Sequence, residues 1–130
     1  MTKKFHLTAK EEELMELLWE QEKPMTSSEI LAVPINRSWS DNYLPIMIKS
    51  LLKKGAIEVS GYVQCQTQYA RQFKTSISKE QYIARLIIGR GMNTSSIPKV
   101  AVAMVEELEG NPTELINELE TMIEEMRKRE

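Results

Sequence analysis

Apolar residues recur every three or four positions before Gly55 and every two positions just after it, so the sequence predicts helices followed by strands. The first helix is predicted from about Ala9 to Gln21. Thr8 and Glu11 form a capping box at its start, because the hydroxyl and the carboxylate each accept a backbone N–H that the helix leaves free. Its apolar face holds Leu14, Met15, Leu17, Leu18 and Trp19.

A second and shorter helix is predicted by another capping box. Thr26 occupies the cap position and Glu29 the third position of the helix, which continues through Leu31. Pro34 ends it, because proline has no N–H to donate and clashes with a preceding helical turn.

The third predicted helix runs from Asp41 to Lys54, with Asp41 or Asn42 as its cap. Pro45 is compatible with a helix only near its start, which places the cap close by. Gly55 is expected to end the helix in the left-handed conformation that glycine adopts easily. The apolar face consists of Leu44, Met47, Ile48, Leu51 and Leu52.

Alternating apolar and polar residues after Gly55 predict two short strands around a turn at Ser60 and Gly61. The apolar positions are Ile57, Val59, Tyr62, Val63 and Tyr69. Three helices, the second one short, followed by a hairpin are the outline of a winged helix-turn-helix. We therefore predict a mainly α fold in which residues 1–77 form a winged-helix DNA-binding domain.

The remainder, residues 78–130, is predicted to be a helical dimerisation domain. Apolar stripes run along it, a turn is expected at Gly110 to Pro112, and the last helix is expected to begin at Thr113. These stripes exceed what three short helices bury within one small subunit, which favours a homodimer through the C-terminal helices. The alternative is that the helices pack back on the N-terminal domain of the same chain.

Charge separates the two parts of this 130-residue chain, whose overall net charge is −2. Between Arg37 and Lys74, six basic residues face two acidic ones, a net charge of +4. From Gln81 to Glu130, six basic residues face nine glutamates, a net charge of −3. This difference suits a part that faces DNA joined to a part that does not.

Several classes of protein are not expected from this composition. Cys65 and His6 are the only cysteine and histidine, which is too few for a structural zinc site, and we expect no metal and no cofactor. No nucleophile with a base and no glycine-rich phosphate loop stand out, so we expect no enzyme. The sequence shows neither a secretion signal nor a long apolar run, so we expect a cytoplasmic protein that does not enter a membrane.

Four stretches resemble the penicillinase repressor (BlaI/MecI/CopY) family of bacterial transcriptional repressors. They are LTAKEEELMELLWE at 7–20, SSEIL at 27–31, Trp39 with Ser40, and MIKSLLKKGAI at 47–57. Tyr69 also matches the tyrosine that closes the family's second wing strand. The resemblance covers about 75 residues and implies a homodimeric repressor on a palindromic operator, with the third helix in the major groove of double-stranded DNA and the wing on the backbone.

Eight residues are candidates for DNA binding under this resemblance. The candidates for contact with bases are Asn42, Tyr43, Ile46 and Lys49. The candidates for contact with phosphates are Arg37, Ser40, Lys53 and Lys54. For each lysine, the alternative is a solvated helix face.

The chain departs from the family in ways that bear on its partners. Asp41 and Pro45 stand where the family has polar or basic residues, so we expect a different operator sequence. Residues 56–70 contain no lysine or arginine, which predicts an uncharged wing. These features favour the alternative function, a winged-helix protein-interaction module that has lost DNA binding.

The inducing signals of the family find no match in the sequence. No cysteine follows Cys65, so copper sensing is not expected, and the Asn-Phe pair cleaved in the β-lactam-responsive branch is missing. A regulatory protease or a sensor protein stays open as a partner.

Overall fold

The computed structural model describes residues 6–108 and 110–130, and it confirms a winged helix followed by C-terminal helices. Residues 1–5, which we included in the predicted DNA-binding domain, and Glu109 lie outside the described residues. The elements are α1 (Ala9–Gln21), α2 (Ser27–Ala32), α3 (Leu44–Lys54), β1 (Ile57–Cys65), β2 (Gln68–Thr75), α4 (Lys79–Gly89), α5 (Ile97–Glu107) and α6 (Thr113–Lys128). Two 3₁₀ turns, Asp41–Tyr43 and Thr94–Ser96, precede α3 and α5.

Both predicted capping boxes form. The hydroxyl of Thr8 accepts from the backbone N–H of Glu11 at 3.2 Å, and the carboxylate of Glu11 accepts from that of Thr8 at 2.9 Å. Thr26 and Glu29 repeat the arrangement at 3.2 and 3.0 Å. Gly55 ends α3 with φ 79°, as predicted.

The start of α3 was predicted too early. Asp41 and Asn42 do not cap an α-helix but belong to the 3₁₀ turn, and α3 begins at Leu44. Pro45 therefore lies within the first two positions of α3. A proline there loses no hydrogen bond, because the first N–H groups of a helix have no intrahelical partner.

The predicted turn at Ser60 and Gly61 is wrong. β1 and β2 pair as one antiparallel hairpin from Ile57 opposite Thr75 to Cys65 opposite Gln68, so the two-residue turn consists of Gln66 and Thr67. The register shifts between Val59 and Gly61, which identifies the Ser-Gly pair as a β-bulge. Glycine signals a bulge as well as a turn, and the sequence pattern did not distinguish them.

The core lies among α1, α2, α3 and the base of the wing. Its largest fully buried side chains are Phe73, Leu14, Met15, Ile30, Leu44, Met47 and Leu51. Met25 and Phe73 exchange backbone hydrogen bonds of 3.0 and 2.8 Å, which tie the loop before α2 to β2. The core therefore holds α3 against both neighbouring helices and the wing.

By its contacts the chain divides into two compact units, Met1–Gly89 and Arg90–Glu130. The helix α4 is part of the first unit. Tyr82 of α4 is buried, and its ring lies 5.8 Å from that of Trp19. Among the described residues, no helix is long and apolar enough to cross a membrane.

Candidate nucleic-acid interface

The outward face of α3 carries three of the predicted DNA-binding residues. Leu44, Met47, Ile48 and Leu51 turn towards the core. Ile46, Lys49 and Lys53 are exposed and follow at intervals of three and four positions, so they share the opposite face. We call these three residues the α3 stripe.

Both lysines of the α3 stripe are available to a ligand. Lys49 and Lys53 make no hydrogen bond or ion pair with any residue in the described part of the chain. Two unpaired cations separated by about one helical turn present positive charge along the exposed side of α3. A nucleic-acid backbone that lies along this side of α3 would contact both lysines.

Lys54, a predicted phosphate contact, is instead engaged inside the protein. Its ammonium donates to Glu11 Oε1 at 2.6 Å and to the carbonyl of His6 at 2.7 Å. Ser50 donates to the other oxygen of Glu11 at 2.7 Å, and the Glu11 side chain is only 4% exposed. This buried carboxylate joins the start of α1 to the last two turns of α3.

Glu11 is held in its charged form. Burial by itself raises the pKa of a carboxyl group, but hydrogen bonds from Lys54, Ser50 and Thr8 outweigh it and keep the pKa of Glu11 below its ordinary value. The network therefore holds a negative charge on Glu11 at neutral pH.

Arg37 is the second predicted phosphate contact that is engaged within the protein. It holds the segment between α2 and α3 in place. Its guanidinium donates to the carbonyls of Trp39 (3.2 Å) and Leu31 (3.4 Å) and forms an ion pair with Asp41. It also lies 4.7 Å above the ring of Trp39, which is buried. The negative charge of Asp41 is thus compensated by a cation four residues earlier.

Three predicted residues lie before α3, at the 3₁₀ turn. Ser40 is exposed, and its carbonyl accepts from the N–H of Tyr43 at 3.0 Å. Asn42 is exposed, with no hydrogen bond among the described side chains. Tyr43 is half-buried, and the ammonium of Lys10 lies 4.8 Å from its ring centre. Asn42 and Ser40 therefore continue the exposed side of α3 towards its start.

One contact that the sequence pattern did not reveal fixes this same segment. Both oxygens of Glu13 accept from Ser38, one from its N–H at 2.7 Å and one from its hydroxyl at 2.6 Å. These hydrogen bonds lower the pKa of Glu13. No local signal in the sequence connects Glu13 with a serine 25 positions later.

The wing is longer than predicted and it is not uncharged. Since the turn lies at Gln66 and Thr67, β2 includes Arg71, which pairs across the hairpin with Tyr62. Arg71 is exposed and lies 5.2 Å from the ring centre of Phe73. Tyr62 is 65% exposed. The wing therefore presents a cation and an aromatic ring side by side.

Comparison with known proteins extends over both units of the chain. A model of the penicillinase repressor family matches residues 7–125, from the residue before the Thr8 cap into α6. The crystal structure of the adhesin competence repressor (AdcR) from Streptococcus pyogenes is similar at 17% sequence identity and a TM-score of 0.39, over 92% of this chain and 80% of that chain. No curated protein matches the chain.

Proposed function

Because the chain belongs to the penicillinase repressor family, we propose that it is a DNA-binding transcriptional repressor that acts as a homodimer on a palindromic operator. The observation that carries the proposal is the α3 stripe. A helix fits the major groove, and lysines facing phosphate supply much of the affinity for DNA. Lys49 and Lys53 offer such contacts because no described residue competes for them.

The eight predicted residues divide into two groups in this proposal. The first group contacts DNA and consists of exposed residues and the half-buried Tyr43: Asn42, Tyr43, Ile46 and Lys49 at bases, and Ser40 and Lys53 at phosphates. Arg37 and Lys54 position the binding surface, because each is already engaged by a carboxylate and by backbone, Arg37 at two carbonyls and Lys54 at one. Arg71 of the wing is added as a phosphate contact.

Affinity for duplex DNA at several salt concentrations tests the proposal. With a pool of random duplexes, Lys53→Glu is expected to weaken binding and to reduce the salt dependence by about one counterion for each protomer. Lys23→Glu, which makes the same charge change outside α3, is the control and should leave both nearly unchanged. If wild-type protein binds no duplex at low salt, the proposed function is wrong.

The homodimer rests on apolar side chains that the C-terminal unit leaves in solvent. In α6 these are Ile116, Leu119, Met122, Ile123 and Met126, a spacing that suits a helix pair. Ile123→Glu is expected to convert the dimer to monomer in sedimentation experiments. Asn117→Glu adds the same charge on the opposite side of α6 and should leave the dimer intact.

A further inference from the structure

We propose that Ile46 recognises thymine by packing on its C5-methyl group, and that each operator half-site therefore carries a thymine on which the protein's affinity depends. The inference rests on the proposed function and deepens it, because it names the chemistry of the base that the α3 stripe contacts.

Ile46 is an apolar residue in a place that the fold does not require to be apolar. Its side chain is 59% exposed, although it belongs to the helix that supplies four buried side chains to the core. The stripe that it shares with Lys49 and Lys53 is otherwise cationic, and Pro45 beside it is also exposed. An isoleucine surrounded by groups suited to DNA has one apolar counterpart in the major groove, the methyl group of thymine.

The segment leading into α3 favours the same base pair. Guanine is commonly recognised by arginine or lysine that donates to O6 and N7. The only arginine in that segment, Arg37, donates to two carbonyls and pairs with Asp41. Asn42 is one of the exposed residues there, and its amide suits N6 and N7 of adenine. The first part of the interface therefore suits A·T pairs. Among the residues proposed to contact bases, Lys49 is the one suited to guanine.

The experiment uses the full chain and a duplex selected by it from a random pool. Each thymine of the selected duplex is replaced by deoxyuridine, which removes only the C5-methyl group. We expect one thymine in each half-site whose replacement weakens binding about fourfold, the effect of one buried methyl group. Ile46→Ala should bind the thymine and deoxyuridine duplexes equally, whereas Ile46→Val should keep most of the difference.

Ile35→Ala is the control, because it shortens another exposed isoleucine of the same unit outside α3. It should keep the full thymine effect, and all three variants should melt at the temperature of the wild type. If no thymine is sensitive, or if the sensitivity persists in Ile46→Ala, the role of Ile46 is wrong while DNA binding stands. If no duplex is enriched from the pool, the proposed function falls, and the inference falls with it.

Discussion

Replacing Glu11 by glutamine would remove the negative charge from the network that joins α1 to α3, while keeping the size of the side chain and an acceptor for the Thr8 N–H. The carboxylate is almost fully buried and receives an ammonium at 2.6 Å and a hydroxyl at 2.7 Å. In Glu11→Gln, the Lys54 ammonium loses its counter-charge and keeps only neutral acceptors, the His6 carbonyl and the amide oxygen that takes the place of Oε1.

The expected loss of stability depends on how much of each partner is exposed to solvent. Removing one member of a fully buried ion pair costs about 3–5 kcal/mol, because the other charge is left uncompensated. The side chain of Lys54 is 28% exposed and is partly solvated, which reduces the loss. We expect the free energy of unfolding to fall by about 2 kcal/mol in Glu11→Gln.

Urea unfolding followed by circular dichroism at one fixed protein concentration measures this loss. A double-mutant cycle with Lys54→Met separates the pair from the rest of the network, and the coupling energy is expected to exceed about 1 kcal/mol. Glu20→Gln makes the same change at an exposed position of α1 and should shift stability by less than about 0.5 kcal/mol.

The pH dependence of stability independently checks that the charge of Glu11 stabilises the fold. Since the pKa of Glu11 is lower in the folded protein than its ordinary value of 4.5, its contribution is complete above pH 4.5 and disappears as the pH falls through the folded value. The difference between wild type and Glu11→Gln should therefore shrink on acidification. A difference that is unchanged by acid, or a coupling energy near zero, would refute the electrostatic origin of the link between α1 and α3.

Three further predictions concern other parts of the first unit. Arg37→Ala should lower the free energy of unfolding by about 1 kcal/mol, and it should weaken DNA binding because Asp41 is left uncompensated. Adding Asp41→Asn should restore most of the binding but not the stability. Equal DNA binding by Arg37→Ala and wild type would contradict this prediction. Gly55→Ala should lower the free energy of unfolding by about 1 kcal/mol, because alanine is strained at the φ of 79° that Gly55 adopts. An unchanged melting temperature would argue against the left-handed cap. Burial and the charge of Glu12 raise the pKa of Tyr82 to about 12, so the stability that its neutral phenol provides is complete below pH 10 and is lost as the pH rises from 10 through about 12. In ultraviolet titration Tyr82 should ionise last, and Tyr82→Phe should abolish that step.

The sequence was sufficient for the two capping boxes and for the end of α3, which depend on residues a few positions apart. Thr8 with Glu11 and Thr26 with Glu29 are three residues apart, and both boxes form as their spacing predicts. Gly55 ends α3 for a reason contained in one residue. Even the resemblance to the repressor family consists mostly of such local signals.

Features that join distant parts of the chain were not predictable in this way. Lys54 looked like a free cation at the end of a helix, yet its partner Glu11 lies 43 positions earlier. The prediction of the wing turn was wrong for a related reason. Gly61 is compatible with both a turn and a bulge, and only the pairing of β1 with β2 decides between them. Among the predicted phosphate contacts, Lys54 acquired its partners through the tertiary fold, whereas Arg37 is engaged by residues within six positions of it.

Two features of the structure bear on the choice between DNA and a protein as the ligand of α3. Asp41 and the uncharged wing favoured a docking module, but Arg37 compensates Asp41, and the hairpin carries Arg71. Protein interfaces are depleted of charge, lysine above all, at their centres. The α3 stripe has the reverse composition, with Lys49 and Lys53 unpaired among the described residues and a single isoleucine beside them. A surface with unpaired cations along an exposed helix suits a polyanion better than an apolar partner, so the charge distribution favours DNA.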